Sequence, residues 1–274
     1  MAEAAKYALV TGANKGIGFG VCEQLATQGI TVLLTARDEQ RGLQAVDKLT
    51  KRGHSVLFHQ LDVANQASVD SLARFIKSNF NRLDILVNNA GILGTTQKDD
   101  TGEWQDSLEQ AQQCVNINYF GAKRVLESMI PFLRSSNSPT VVNVSSSYGK
   151  LEHVANEWAK GVLGDAENLT EERVDEVLRK FLEDAKEGFP CWSEIFSAYK
   201  ISKAGLNAYT RIIAKKYPWI LVNSVCPGFV RTDINNNKGI LSVEEGAESV
   251  VRLALLPSGA PTGCFFNRRQ LAPF

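Results

Sequence analysis

The stretch Tyr7-Ala-Leu-Val-Thr-Gly-Ala-Asn-Lys-Gly-Ile-Gly18 decides the fold. Tyr7 to Val10 is a short apolar run that reads as a buried strand, and it breaks at Gly12. Gly16 and Gly18 follow where Ile17, Val21 and Leu25 begin a helical spacing. Strand, glycine turn and helix in this order present free backbone N–H groups and a positive helix end to a pyrophosphate. One glycine turns the chain, one lets a phosphate approach the backbone, and one lets the helix pack close to the strand. The spacing is Gly-x-x-x-Gly-x-Gly, which only approximates the common dinucleotide fingerprint, so a glycine turn without a ligand stays open at this point.

Working outward, Gly29 ends the first helix and Ile30-Thr-Val-Leu-Leu-Thr35 reads as the second strand. In dinucleotide sites this strand end faces the adenosine ribose, where a carboxylate accepts from a 2′-hydroxyl and a cation favours a 2′-phosphate. Ala36 takes the acid's position and Arg37 follows it. Lys15, in the glycine turn, adds a second cation. The pair favours NADP over NAD; Asp38 leaves a route to NAD, and solvated surface charges are the plain alternative.

Further along, Asp38–Arg52 and Ser68–Phe80 carry apolar stripes at helical spacing, around a third strand at Val56-Leu-Phe-His-Gln-Leu61 that ends in Asp62-Val63. Ile85-Leu-Val87 is a fourth strand, running into Asn88-Asn-Ala-Gly91. A helix from near Glu109 holds Asn118, Val141–Val144 is a fifth strand ending in three serines, and Tyr199–Lys216 is a helix. Ile220–Val225, a helix from Ser242 to Leu255 and Gly263–Phe266 close the pattern. The expected architecture is α/β: a doubly wound, Rossmann-type parallel sheet of about seven strands with helices on both faces. Residues 1–274 form one domain in this reading, with a helical insertion at about 150–198. Within it Val174, Val177, Leu178, Phe181, Leu182 and Ala185 make an amphipathic stripe that Thr170 can cap, with Glu171 and Glu172 at the positive end.

Totals narrow the function. Of 274 residues 44% are hydrophobic, and 30 lysines and arginines balance 30 aspartates and glutamates, which gives no electrostatic case for nucleic acid or an anionic membrane. Cys22, Cys114, Cys191, Cys226 and Cys264 are scattered and odd in number, as suits a reducing, cytoplasmic setting. His54, His59 and His153 lack metal-ligand spacing, so no metal is expected. The first strand begins within about six residues, and no signal peptide or membrane span fits. The sequon at Asn168-Leu-Thr170 reads as chance.

Thr11–Gly18, Asn88-Asn-Ala-Gly91 and Tyr199-x-x-x-Lys203 together resemble the short-chain dehydrogenase/reductase family, over essentially the whole chain. Val142–Ser147, Asn156–Lys160, Leu169–Arg173, Leu206–Thr210 and Val225–Phe229 resemble its carbonyl reductase-like group, with the plant reductases of menthone and salutaridine. Ile92–Gln113 is shorter than the matching segment of relatives resembling salutaridine reductase. Tyr199 and Lys203 share one helix face, where the cation is expected to lower the phenol's pKa towards neutrality.

The resemblance implies reduction of a small hydrophobic ketone or aldehyde by NADPH, reversible to alcohol oxidation. Ser146, chosen over its neighbours by the Ser-x-x-Gly spacing to Gly149, would bond the carbonyl oxygen, and Tyr199 would supply the proton. Lys203 would tune Tyr199 and bind the nicotinamide ribose, and Asn118 would hold a relaying water. The cofactor positions implied are Gly12, Asn14, Lys15, Gly16, Ile17, Gly18, Arg37, Asp62, Val63, Asn89, Ala90, Gly91, Tyr199, Lys203, Pro227, Gly228, Val230 and Thr232. Leu93–Gln97, Val154–Trp158, Trp192 and Phe229 are candidate substrate walls. The insertion would cover the helices through which simpler members form tetramers, favouring a monomer. Reduction of a conjugated double bond, or nucleotide sensing without catalysis, are the alternatives.

Overall fold

The computed structural model describes residues 5–97, 104–105, 107–189, 191–192 and 195–274; the side chains at 96, 97, 104 and 105 are also left undescribed. Its first unit is β1 (Tyr7–Val10), α1 (Gly16–Thr27) and β2 (Thr31–Ala36). Then come α2 (Glu39–Thr50), β3 (Val56–Gln60), α3 (Gln66–Asn79) and β4 (Ile85–Asn88). A two-residue pair, β5 (Thr96–Gln97) and β6 (Trp104–Gln105), precedes α4 (Leu108–Val115), α5 (Ala122–Leu133) and β7 (Thr140–Val144). The insertion supplies α6 (Glu157–Gly164) and α7 (Glu171–Asp184), and α8 (Ser197–Lys216), β8 (Leu221–Cys226), α9 (Val243–Ala254), β9 (Phe265–Asn267) and β10 (Gln270–Ala272) complete the chain.

Among the described residues the main sheet has eight strands in the order β10-β9-β8-β7-β4-β1-β2-β3. All neighbours run parallel except β10, which turns back on β9. The eighth strand is an addition to the seven expected. Gln270-Leu-Ala272 has no apolar alternation, and Leu271 is 64% exposed, so only its pairing with β9 makes it a strand. Strands covered on both faces need apolar residues at every position. On β1, Leu9 faces one core layer, while Ala8 and Val10 face the other. Helices α1, α2 and α9 cover one face; α3, α4, α5 and α8 cover the other.

The winding reverses between β1 and β4, and the turns leaving these strands therefore diverge and leave a crevice at their carboxyl ends. Outside α8 and α4 lies a further helix, α7, whose Val174, Val177, Leu178 and Phe181 are fully buried. Its N-cap is Thr170, which accepts from the Arg173 N–H. Asp175 ties it down by accepting from the Tyr119 hydroxyl at 2.7 Å and from Lys123 Nζ at 3.1 Å. Between α4 and α5 the chain does not continue as one α-helix: Asn116–Gly121 is a π-helical turn, an irregularity that periodicity alone does not reveal.

Candidate active site

The turns after β1 and β4 are knitted together. Gly12 sits at φ +62°, and a Cβ there would stand 2.8 Å from Ala90 Cα. The Thr11 hydroxyl accepts from the Asn89 and Ala90 N–H groups, each at 3.0 Å, and Asn89 Nδ2 donates to the Thr11 and Gly12 carbonyls. A Cβ on Gly18 would meet Asn89 Nδ2 at 2.5 Å, so this glycine lets α1 close on the sheet. Gly16 lies at φ +56°, with the Thr232 methyl over it. Asn14 and Ile17 are half-buried beside it.

The start of α1 has no side-chain cap, as at α5 and α8, whereas α2, α3, α4, α6, α7 and α9 carry Asp38, Asn65, Ser107, Asn156, Thr170 and Ser242. A side-chain-free glycine cradle at an uncapped helix start suits a dinucleotide pyrophosphate. Arg37 is exposed immediately after β2. Asp38 is committed to capping α2, accepting from the Arg41 N–H at 2.9 Å. Lys15 does not stand free beside Arg37: its Nζ pairs with Asp233 at 2.5 Å.

The remaining cofactor positions also gather at strand ends. After β3, Asp62 Oδ1 accepts from the Ala64 N–H, and buried Val63 packs against Gly121. After β8, Pro227 leads into Gly228 at φ +92°, Val230 bridges to Leu241, and Thr232 opens a capping box with Asn235. Gly91 touches two of the expected catalytic residues: a Cβ there would lie 3.2 Å from Asn118 Oδ1 and 3.4 Å from Lys203 Nζ.

Ser146 follows β7 and caps a short 3-10 turn, accepting from the Tyr148 N–H at 3.2 Å. Its hydroxyl stands near enough to the Tyr199 phenol to favour the ionised form. Gly149 explains the Ser-x-x-Gly spacing, because a Cβ there would stand 2.7 Å from the Lys203 carbonyl carbon. Asn207 Nδ2 clips α8 to the Gly149 carbonyl at 3.1 Å, and the Ser145 hydroxyl points to the Lys203 carbonyl. Lys203 is 4% exposed; its Nζ donates to the Val144 carbonyl at 2.7 Å and lies 5.7 Å from the centre of the Tyr199 ring.

The electrostatics correct the expected tuning. Burial pushes the Tyr199 phenol up from its ordinary value, and the Ser146 hydroxyl supplies the opposing push. Lys203 is itself drawn down by burial to about 8. Desolvation disfavours the charged form of both groups and is the largest cause of each shift.

Asn118 is tied to the turn after β4. Its Oδ1 accepts from the Ile92 N–H at 2.9 Å, while Nδ2 donates to the Ile92 carbonyl and to Ser202 Oγ. The side chain thus fixes the turn that carries Gly91, beside Lys203 Nζ. Sequence reasoning also missed a buried amide ladder: Asn88 Nδ2 donates to Asn143 Oδ1, and Asn143 Nδ2 to Thr210 Oγ1, each at 2.9 Å. It locks β4, β7 and α8 in register, and only strand pairing identifies it.

Of the expected walls, Val154 is buried and Phe229 is 51% exposed. Trp192 belongs to the α7 core, edge-on to Phe181 with its N–H on Asp184. Trp158 lines an outer groove of ≈ 470 Å³ between α6 and α7 that includes none of Ser146, Tyr199 or Lys203. The side chains of Thr96 and Gln97 lie outside the described residues.

A switch-point crevice with a glycine cradle on one side and a paired phenol and ammonium on the other has the parts of a dinucleotide-dependent oxidoreductase. The family model of the short chain dehydrogenases matches residues 6–157, and the chain belongs to that family. It is 54% identical to (+)-neomenthol dehydrogenase of Arabidopsis thaliana over 293 aligned positions, covering 99% of each chain. That span exceeds the 274 residues of this chain, so the relative carries segments absent here. The solved structure of salutaridine reductase from Papaver somniferum superposes with a TM-score of 0.91 at 46% identity, over 96% of this chain and 99% of that one. A carbonyl reductase of Mus musculus, with NADPH in its name, is 39% identical over the full length of both.

Proposed function

We propose that this chain reduces the carbonyl of a hydrophobic ketone or aldehyde, of terpenoid or alkaloid type, with NADPH, and runs in reverse as an alcohol dehydrogenase. The carrying observation is the grouping of Ser146, Tyr199 and Lys203, with Lys203 Nζ 5.7 Å from the Tyr199 ring centre, at the strand ends that also hold the glycine cradle. The nicotinamide, when bound, supplies the hydride. Ser146 donates to the carbonyl oxygen as charge builds there. Tyr199 gives that oxygen its proton, and its raised pKa keeps it protonated at neutral pH, as a donor must be. Lys203 offers an ammonium to the ribose from the floor of the site, and Asn118 holds the Ile92 turn in place.

NADPH is preferred to NADH in this reading because Arg37 is exposed at the ribose end and Asp38 is committed to its helix. The mouse relative's name agrees. The substrate class follows the relatives' names. The reading extends to a cytoplasmic monomer: none of the five cysteines is in a disulfide, and α7 covers the helices of the outer layer.

The test is NADPH and NADH consumption with a panel of monoterpene, alkaloid and quinone carbonyls, identifying each product. The unmodified chain is expected to favour NADPH and to yield alcohols. Tyr199→Phe keeps the ring and its packing, so NADPH affinity should persist while turnover falls by about two to four orders of magnitude. A Tyr199→Phe chain that retains most of its turnover would show that the proton comes from elsewhere.

A further inference from the structure

Lys15 and Asp233 lie 218 positions apart in sequence, yet they form an ion pair directly across the glycine cradle. The two partners are unequal. Asp233 is the first residue of a 3-10 turn held by the Thr232–Asn235 capping box. Its segment is pinned by the bridge of Val230 to Leu241 and by bonds from the Ile240 and Leu241 N–H groups to the Phe229 carbonyl. Asn237 also bonds the carboxylate, and Arg41, at the start of α2, adds a positive field. The backbone that carries the carboxylate is therefore fixed by its own loop. Both side chains are exposed, 58% for Lys15 and 62% for Asp233, and the flexible four-carbon stem gives Lys15 the wider reach towards another anion.

We infer that Asp233 is a built-in competitor for Lys15, and that it limits how tightly the chain holds a 2′-phosphorylated nucleotide. This rests on the NADPH reading above. A 2′-phosphate arriving beside Arg37 must share Lys15 with a carboxylate already in place, so part of the attraction is spent on loosening an existing pair. A nucleotide without that phosphate makes no demand on Lys15 and should not sense Asp233. The ion pair is exposed, so its influence belongs to the modest class of surface interactions and should fade as salt rises.

Calorimetric titration of the full chain with 2′,5′-ADP and with 5′-AMP at low salt tests this. Asp233→Asn preserves the shape and the local hydrogen bonds while removing the charge. It is expected to tighten 2′,5′-ADP about two- to fivefold, to leave 5′-AMP unchanged, and to lose the gain in high salt. In a Lys15→Ala background, adding Asp233→Asn should bring no gain. Unchanged or weaker 2′,5′-ADP binding in Asp233→Asn, an equal gain for 5′-AMP, or a gain that survives Lys15→Ala would each overturn the competitor role. Should thermal unfolding reveal that Asp233→Asn is misfolded, Asp233→Ser is read by the same criteria. Equal affinity of the unmodified chain for both nucleotides would instead sink the NADPH reading, and the inference with it.

Discussion

At Lys203 the cost of burying an ammonium shows as a lowered pKa. Its folded value of about 8 lies below the ordinary 10.5. Below pH 8 both folded and unfolded chains hold the proton, and the folded state bears the whole desolvation cost. Between 8 and 10.5 the unfolded chain binds more protons, so this residue's contribution to stability rises with pH across that window. Tyr199 opposes it only above its ordinary value of 10, where the unfolded phenol ionises first and stability falls as pH rises. Lys203→Met should accordingly be most favourable, relative to the unmodified chain, near neutral pH. Denaturant unfolding at about pH 7 and about pH 9.5 should find that difference shrinking by on the order of 2 kcal/mol. A pH-independent difference would mean that Lys203 is not held with a depressed value. The same variant should lose turnover and NADPH affinity together, since it removes the group offered to the ribose.

Among elements, the contact of the Ser146 turn with α8 is the most exacting. Gly149 meets α8 backbone to backbone, 2.7 Å from a virtual Cβ to the Lys203 carbonyl carbon, and Asn207 closes the contact from the other side. Neither partner is a flexible side-chain end, so Gly149→Ala must push the turn off the helix and part Ser146 from Tyr199. Turnover is expected to drop at least about tenfold, while NADPH binding in a fluorescence titration changes little, because the cradle at Gly12–Gly18 is untouched. Normal turnover in Gly149→Ala would show that the catalytic pair does not depend on this approach. The π-helical turn acts on the neighbouring side, where it brings Asn118 within reach of the Ile92 backbone and sets Gly121 against Val63.

For the whole molecule, the question is what the outer helix α7 covers. Val174, Val177, Leu178 and Phe181 are buried within the chain itself, and Leu178 packs 3.1 Å from where a Gly205 Cβ would stand on α8. The polar border is tied as well, with Lys216 Nζ on Glu171 at 2.7 Å and Lys123 on Asp175. With that apolar stripe satisfied internally, no such face remains on α7 for a second copy, and the chain should sediment at 30.1 kDa. A concentration-independent dimer in sedimentation would refute the monomer.

What the sequence alone determined is local in origin. Apolar periods of two and 3.6, glycine turns and caps such as Thr170 act over a few residues, so strands, helices and the α7 stripe could be read directly. Tyr199 and Lys203 were legible for the same reason, since four positions on a helix define one face. The family motifs then located Ser146 and the cradle. Only tertiary structure decided the rest. β10 exists because β9 offers it an edge; Asn118 bonds Ile92, 26 positions away; and Lys15 meets Asp233 across 218. The direction of the Tyr199 shift also had to wait, because it depends on how much water the surrounding elements exclude, and spacing along a helix says nothing about desolvation.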